Sequence, residues 1–325
     1  MEKENKKINI VVLDGHTLNP GDLNWEPIEK SGNLTVYDRT EPGLVIERSI
    51  NADVILTNKT LITRDDIAVL PRLKYIGVLA TGYNVVDTEA ASEAGVVVTN
   101  IPAYSTMSVA QQIFSLILTI TNHSEYYAEQ NRLGRWSLSE DFCYTDYPMI
   151  ELDGKHLGIV GYGHIGHATA HIAKAFGMEV SVVSSKKAED IPEVRKGDLH
   201  DIFSNCDIIC LCCPLTADNA GMVNKDLLAV MKKTAILINT ARGGLVNEQD
   251  LADALNAGRI YAAGMDVLCK EPPESDNPLL HARNCYVTPH IAWASREARL
   301  RLMDIAADNL RAFIDGNPVN VVNPN

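Results

Sequence analysis

Short apolar runs recur along the chain at intervals of roughly a helix's length. Ile8 to Leu13, Leu34 to Tyr37, Val54 to Leu56, Tyr75 to Leu79 and Val96 to Thr99 carry Val, Ile and Leu at consecutive positions. Consecutive rather than alternating apolar residues mark strands covered on both faces, as in a parallel sheet. The segments between are helical or loop, so the chain up to Pro102 reads as a small parallel α/β unit. Pro102 breaks the pattern, and Ser105 to Thr121 reads as one long apolar helix. Glu125 to Glu151 is polar, aromatic-rich and irregular, with no clear period. It is either an arm making a subunit contact or a surface loop.

A second unit starts near Gly154. Leu157 to Val160 reads as a strand, and Gly161-Tyr-Gly-His-Ile-Gly166 follows it. Next comes a helix to Phe176 with Ile165, Thr169, Ile172, Ala173 and Phe176 near one face, ended by Gly177. Val180 to Val183, Ile208 to Cys212, Ala235 to Asn239, Tyr261 to Val267 and Tyr286 to Thr288 continue the strands. Ser295 caps a last helix to Phe313, closed by Gly316 and Pro318. There is no internal repeat and no low-complexity tract.

The length of 325 residues suits two domains. Lys and Arg total 29 against 42 Asp and Glu, a net charge of −13, which argues against a nucleic-acid partner. Hydrophobic residues at 46% and charged residues at 22% give a soluble globular profile. No run approaches the roughly 20 apolar residues of a membrane helix. The start, MEKENKKINI, is charged and runs straight into a strand, so no apolar signal segment is expected. Of seven cysteines, Cys206, Cys210, Cys212 and Cys213 crowd one stretch, and three lie in Asp207 to Leu215, which reads as a buried strand. No disulfide framework or metal site is expected, and the compartment reads as reducing and cytoplasmic.

A lone G-x-G-x-x-G is weak evidence, but between a strand and a helix it has a specific meaning. Gly161 permits a tight turn, Gly163 admits a pyrophosphate to the backbone, and Gly166 lets the helix pack on the sheet. The helix N-terminus offers N–H groups to the phosphates. The next strand should end in an acid that binds the adenosine ribose. Ser184 stands there instead, followed by Ser185, Lys186 and Lys187. Two hydroxyls and two lysines suit a 2′-phosphate, which favours NADP slightly over NAD. Glu189 and Asp190 lie close by, and the lysines also read as solvated turn residues.

Three further motifs stand at later strand ends, where open α/β sheets bind ligands. Arg242, in Asn239-Thr-Ala-Arg-Gly-Gly244, is placed to fork onto a carboxylate or to make an inter-strand ion pair. Glu271 follows Asp266-Val-Leu-Cys-Lys and is held by Pro272 and Pro273 on an extended loop. His290 stands in Thr288-Pro-His-Ile-Ala-Trp293. A lone His is more often structural, but one sharing strand-end positions with a Glu and an Arg shifts those odds.

The runs GYGHIG, TARGGLV, D-V-x-x-x-E-P-P and TPHIAW, in that order and spacing, resemble the D-isomer-specific 2-hydroxyacid dehydrogenases. The resemblance covers essentially the whole chain. Ala80-Thr-Gly-Tyr-Asn-Val-Val-Asp87 resembles that family's substrate loop. Within the family, the chain is most similar to glycerate dehydrogenases, also called hydroxypyruvate reductases. The resemblance implies that His290 is the general acid/base, that Glu271 holds its other ring nitrogen and favours the imidazolium, and that Arg242 binds the substrate carboxylate. It implies that Thr81 and Gly82 offer backbone N–H groups to the substrate, and that His164 and Ile165 sit on the pyrophosphate. Cys213 and Pro214 match a turn on the adenosine side, and Thr240 and Asp266 match cofactor-contacting positions. Thr106 matches a position near the nicotinamide. Trp293 is either a pocket wall or plain core. Ser184 departs from the acidic residue of NAD-preferring members, which puts the cofactor in doubt and not the fold.

The architecture implied is two doubly wound parallel-sheet domains. A Rossmann dinucleotide domain, residues 103–293, is inserted in a flavodoxin-like substrate domain, residues 1–102 and 294–325. The active site would lie in the cleft between them, and the chain would form a homodimer involving the 120–150 segment. No Lys or Arg occurs in Gly77 to Asp87, which disfavours a phosphorylated substrate. With the sequence ending at Asn325, no appended regulatory domain is expected. Hydroxypyruvate/glycerate is the expected substrate pair, with glyoxylate also. A bulkier D-2-hydroxy acid and a dinucleotide-sensing, corepressor-like role are the alternatives.

Overall fold

A computed structural model describes residues 7–323 of the chain. The charged start, residues 1–6, lies outside the described residues. The chain divides into two compact units, one running to Ser105 and resuming at Ala294, the other spanning Thr106–Trp293.

The first unit runs β1 (Asn9–Val12), α1 (Gly15–Leu18), α2 (Glu26–Glu29), β2 (Asn33–Val36), α3 (Val45–Ser49), β3 (Val54–Thr57), α4 (Arg64–Ala68), β4 (Tyr75–Val78), α5 (Thr88–Glu93) and β5 (Val97–Thr99). The strands form one parallel sheet in the order β2-β1-β3-β4-β5, the flavodoxin-like doubly wound order. β3 and β4 are buried at every position, as their unbroken apolar runs require. β2 lies at the edge and alternates between exposed and half-buried residues.

The second unit runs α6 (Thr106–Asn122), α7 (Ser124–Arg132), β6 (His156–Val160), α8 (His164–Ala175), β7 (Glu179–Val183), β8 (Arg195–Lys196), α9 (Leu199–Asn205), β9 (Ile208–Leu211), α10 (Lys225–Val230), β10 (Ile236–Asn239), α11 (Glu248–Asn256), β11 (Ala262–Met265) and β12 (Cys285–Val287). Its seven parallel strands are ordered β12-β11-β10-β9-β6-β7-β8. The order reverses beside β6, so the crevice for a ligand lies between the carboxyl ends of β6 and β9. α6 buries Val109, Ile113, Leu116, Ile117 and Ile120, an i/i+3/i+4 stripe that joins the core beneath the sheet. The last helix, α12 (Arg296–Ile314), returns to the first unit; the Ser295 hydroxyl accepts the Ala298 N–H and caps it. No helix among the described residues is long and apolar enough to cross a membrane.

Three expectations need correction, and one strand was not foreseen. The 125–151 stretch is not wholly irregular, because α7 forms in it. That helix buries none of its residues, so it leaves no apolar period to read. The two-residue edge strand β8 is likewise invisible to an apolar pattern. α8 buries Gly166, Thr169, Ala170 and Ala173, with Ile165 and Ile172 only flanking the core and Phe176 exposed. Small residues face the sheet because the helix lies close to it. Finally, β9 ends at Leu211, so Cys212 and Cys213 sit in the turn beyond it.

Candidate active site

The glycine turn follows β6. Gly161 has φ +101°, a left-handed conformation that favours glycine. A Cβ there would stand 2.6 Å from the Cys213 nitrogen and 2.7 Å from its Cα, so this turn and the turn after β9 touch. At Gly166 a Cβ would collide with the Gly161 carbonyl oxygen. Gly163 differs: a Cβ there would meet nothing within 4 Å, so open space lies above this backbone, the N-cap of α8. His164 and Ile165 open that helix with His164 exposed. A helix N-terminus over open space, with Cys213 against the glycine turn that leads into it, fits a pyrophosphate.

Ser184 stands one residue past β7, and its Oγ accepts the Lys186 N–H at 3.1 Å. Ser185 and Lys186 are exposed, and the Lys186 ammonium lies 5.6 Å from the centre of the Tyr162 ring. The sequence expectation left the Lys187 side chain open; it pairs with Glu189 at 3.4 Å.

The chemistry gathers at the ends of β10, β11 and β12. Asn239, fully buried, accepts the Ala241 N–H at 3.0 Å and donates to the Arg242 carbonyl at 2.9 Å, shaping the turn that carries Arg242. Thr240 is buried within it. The Arg242 side chain is exposed and donates to the Ala241 carbonyl at 2.7 Å.

Asp266 is 1% exposed. Its carboxylate accepts from the Thr288 hydroxyl at 2.6 Å, the Ile291 N–H at 3.0 Å and the Ala292 N–H at 2.9 Å. Burial pushes the carboxyl above its ordinary value, and these donors only partly offset it. The Asp266 carbonyl also accepts the His290 N–H at 2.8 Å. One residue thus wraps the 288–292 turn around itself. It holds His290 at φ +53°, a conformation rare outside glycine. The His290 Nδ1 lies 2.6 Å from Glu271 Oε2, and Glu271 Oε1 accepts the Leu268 N–H at 3.1 Å. Nδ1 is therefore engaged and Nε2 is the ring nitrogen left for a reactant.

Thr106 begins α6, and Trp293, half-buried, ends the same unit. Thr81 and Gly82 belong to the first unit, just past β4. There the Thr81 hydroxyl donates to the Ile101 carbonyl at 2.8 Å, and the Thr81 carbonyl accepts from the Asn100 side-chain amide at 2.8 Å. Asn239 and Thr288 escaped the sequence reading as contributors. The signal was present: a buried Asp266 must find donors, and Thr288 is the hydroxyl beside His290.

Burial also pushes the Cys212 thiol up to about 12, and burial with Glu248 beside it pushes Cys269 up to about 11. Neither is a nucleophile near neutral pH.

Residues 114–292 match the family described as "D-isomer specific 2-hydroxyacid dehydrogenase, NAD binding domain". The chain is 49% identical to a hydroxypyruvate reductase of Blautia hydrogenotrophica over 321 residues, 97% of this chain and 100% of that protein. The chain belongs to the D-isomer-specific 2-hydroxyacid dehydrogenases. It is 42% identical to a glycerate dehydrogenase of Methylorubrum extorquens, over 88% of this chain and 90% of that one. Among solved structures, an acyclic imino acid reductase in complex with NADPH and D-Arg superposes with a TM-score of 0.84 at 32% identity, covering 97% of this chain and 100% of that one. An NADPH-dependent glyoxylate/hydroxypyruvate reductase from Sinorhizobium meliloti, in complex with NADP and malonate, does so at 0.82 and 27%, covering 97% of each. As a D-2-hydroxyacid dehydrogenase the chain is an NAD(P)-dependent oxidoreductase of small 2-hydroxy and 2-keto acids. The matched span includes every strand of the second unit, and it leaves Thr81, Gly82, Thr106 and Trp293 outside.

Proposed function

We propose that this dehydrogenase reduces hydroxypyruvate to D-glycerate, with glyoxylate as a second substrate and NADP favoured over NAD. The observation that carries the reaction is the 2.6 Å contact of His290 Nδ1 with Glu271, which leaves Nε2 to hold the transferred proton. The names of the two relatives support the substrate. When bound, the reduced nicotinamide supplies the hydride that reaches the substrate's carbonyl carbon. His290, protonated, donates its Nε2 proton to the carbonyl oxygen as that oxygen gains charge, and ends neutral. Glu271 keeps the ring oriented and stabilises its charged form before transfer. Arg242 forks onto the substrate carboxylate and draws charge toward the carbonyl. Thr81 and Gly82 take the role of N–H donors to that carboxylate, and Trp293 that of a wall beside the substrate.

Gly161, Gly163, His164, Ile165 and Gly166 hold the pyrophosphate, with Cys213 and Pro214 on the adenosine side. Thr106, Thr240 and Asp266 complete the nicotinamide end. Ser184, Ser185 and Lys186 in place of an acid support the NADP preference, as do the two structural neighbours in complex with NADPH or NADP. Residues 106–293 then act as the dinucleotide domain and the remainder as the substrate domain. Seven free cysteines suit a reducing, cytoplasmic setting. Leu133, Trp136, Leu138, Phe142 and Met149 are all exposed on one segment, which supports its burial in a homodimer. The test is the loss of reduced-cofactor absorbance with hydroxypyruvate, glyoxylate, pyruvate and phenylpyruvate, each with NADPH and NADH. Highest kcat/KM with hydroxypyruvate and NADPH is expected; a clear preference for phenylpyruvate would reassign the substrate.

A further inference from the structure

The backbone of Lys186 is held on both sides of its Cα. Its N–H donates to Ser184 Oγ at 3.1 Å, and its carbonyl accepts the Lys196 ammonium at 2.6 Å. Lys196 reaches it from β8, where it pairs with Val182, one residue before the end of β7. The turn that replaces the family's acidic position is thus closed by a side chain from the neighbouring strand.

The charges around this turn sort into two groups. Lys187 pairs with Glu189 at 3.4 Å, and Arg195 pairs with Asp201 at 3.5 Å. Lys174 donates to the Glu193 carbonyl, and the Glu193 carboxylate accepts the Tyr162 hydroxyl at 2.8 Å. Among the described residues, Lys186 and Lys196 make no ion pair. A dianionic phosphate arriving here meets two ammonium groups and need displace no carboxylate. A charged edge strand also discourages sheet-to-sheet pairing, which is the plainer reason for a lysine on β8. That reason does not account for an ammonium aimed at the Lys186 carbonyl.

We propose that Lys196 is a positioning residue for the 2′-phosphate of the dinucleotide: it fixes the Ser184–Lys186 turn and adds a second uncompensated charge beside it. This rests on the NADP reading above and names a residue that reading did not include. Lys196 acts through the turn, so its loss affects ligands that carry a 2′-phosphate and spares those that lack one.

The experiment is titration calorimetry on the full chain with adenosine 2′,5′-bisphosphate and with AMP. The proteins are the parent, Lys196→Met, Lys196→Gln and Lys196→Arg, each checked for a cooperative thermal melt. The parent should bind the bisphosphate more tightly than AMP. Lys196→Met and Lys196→Gln should each weaken the bisphosphate about tenfold and leave AMP unchanged, and Lys196→Arg should restore most of the loss. Equal weakening of both ligands would mean that Lys196 only braces the fold, and would overturn the proposal. A parental preference that both neutral variants keep would overturn it too, while leaving the NADP reading intact. A parent that binds AMP as tightly as the bisphosphate would sink the NADP reading and the proposal with it.

Discussion

Gly243 packs so tightly against the peptide of Leu268 that a Cβ there would collide with the Leu268 carbonyl carbon and oxygen. Gly243 follows Arg242, and the Leu268 N–H donates to Glu271 Oε1. One backbone contact therefore joins the turn that presents the guanidinium to the loop that holds the His290 partner. Gly243→Ala must push the two apart. A misplacement of about 1 Å is expected to lower kcat/KM roughly 100-fold, with about 1–3 kcal/mol lost from stability. Steady-state kinetics and a urea melt on the same preparation check both. A variant with parental kinetics would show that the contact does not set the geometry of either side chain.

His290→Gln removes the proton donor and keeps an N–H able to reach Glu271. Turnover should fall about 10²–10⁴-fold, the usual range for a positioned acid. Cofactor affinity, read from the fluorescence of bound NADPH, should be nearly unchanged. Near-parental turnover would remove His290 from proton transfer.

Much of this was legible because burial writes itself into sequence. β3, β4, β9 and β10 are covered on both faces, so their apolar residues run consecutively and declare a parallel sheet. Gly161 and Gly166 are imposed by close backbone approach, and a motif records it. Where an element buries nothing, no such record exists. α7 has no buried residue, and β8 is Arg-Lys at a sheet edge. The support of the site was equally hidden. Asn239 and Thr288 act by hydrogen bonds across turns, and only the folded chain brings Thr288 to Asp266, 22 positions away. Lys196 meets Lys186 across a strand pair that no apolar period announces.

Ser184→Asp places a carboxylate where the family's NAD-preferring members have one. It should repel a 2′-phosphate and accept hydrogen bonds from free ribose hydroxyls. The ratio of kcat/KM for NADPH to that for NADH should fall by about tenfold or more. Measuring that ratio at constant hydroxypyruvate checks the direction. An unchanged ratio would place the adenosine ribose away from Ser184.

Asp266→Asn tests the residue that carries the His290 turn. The carboxylate serves three donors, from Thr288, Ile291 and Ala292. An Asn has one acceptor oxygen, and its amide must face one of those donors, so a loss of about 1–3 kcal/mol is expected. The pH dependence follows from the raised Asp266 carboxyl, whose main cause is burial. A carboxyl raised in the folded state binds its proton more tightly there than in the unfolded chain. Its stabilising contribution is full below the ordinary value of 3.8 and is lost as pH rises through the raised folded value. Asn has no such dependence. The deficit of Asp266→Asn should therefore be largest in acid and smaller at neutral pH. Urea midpoints of variant and parent, taken below 3.8 and at neutrality, read it directly. A deficit that grows toward neutral pH would reverse the sign and make the ionised carboxylate, with its three donors, the form that folding prefers.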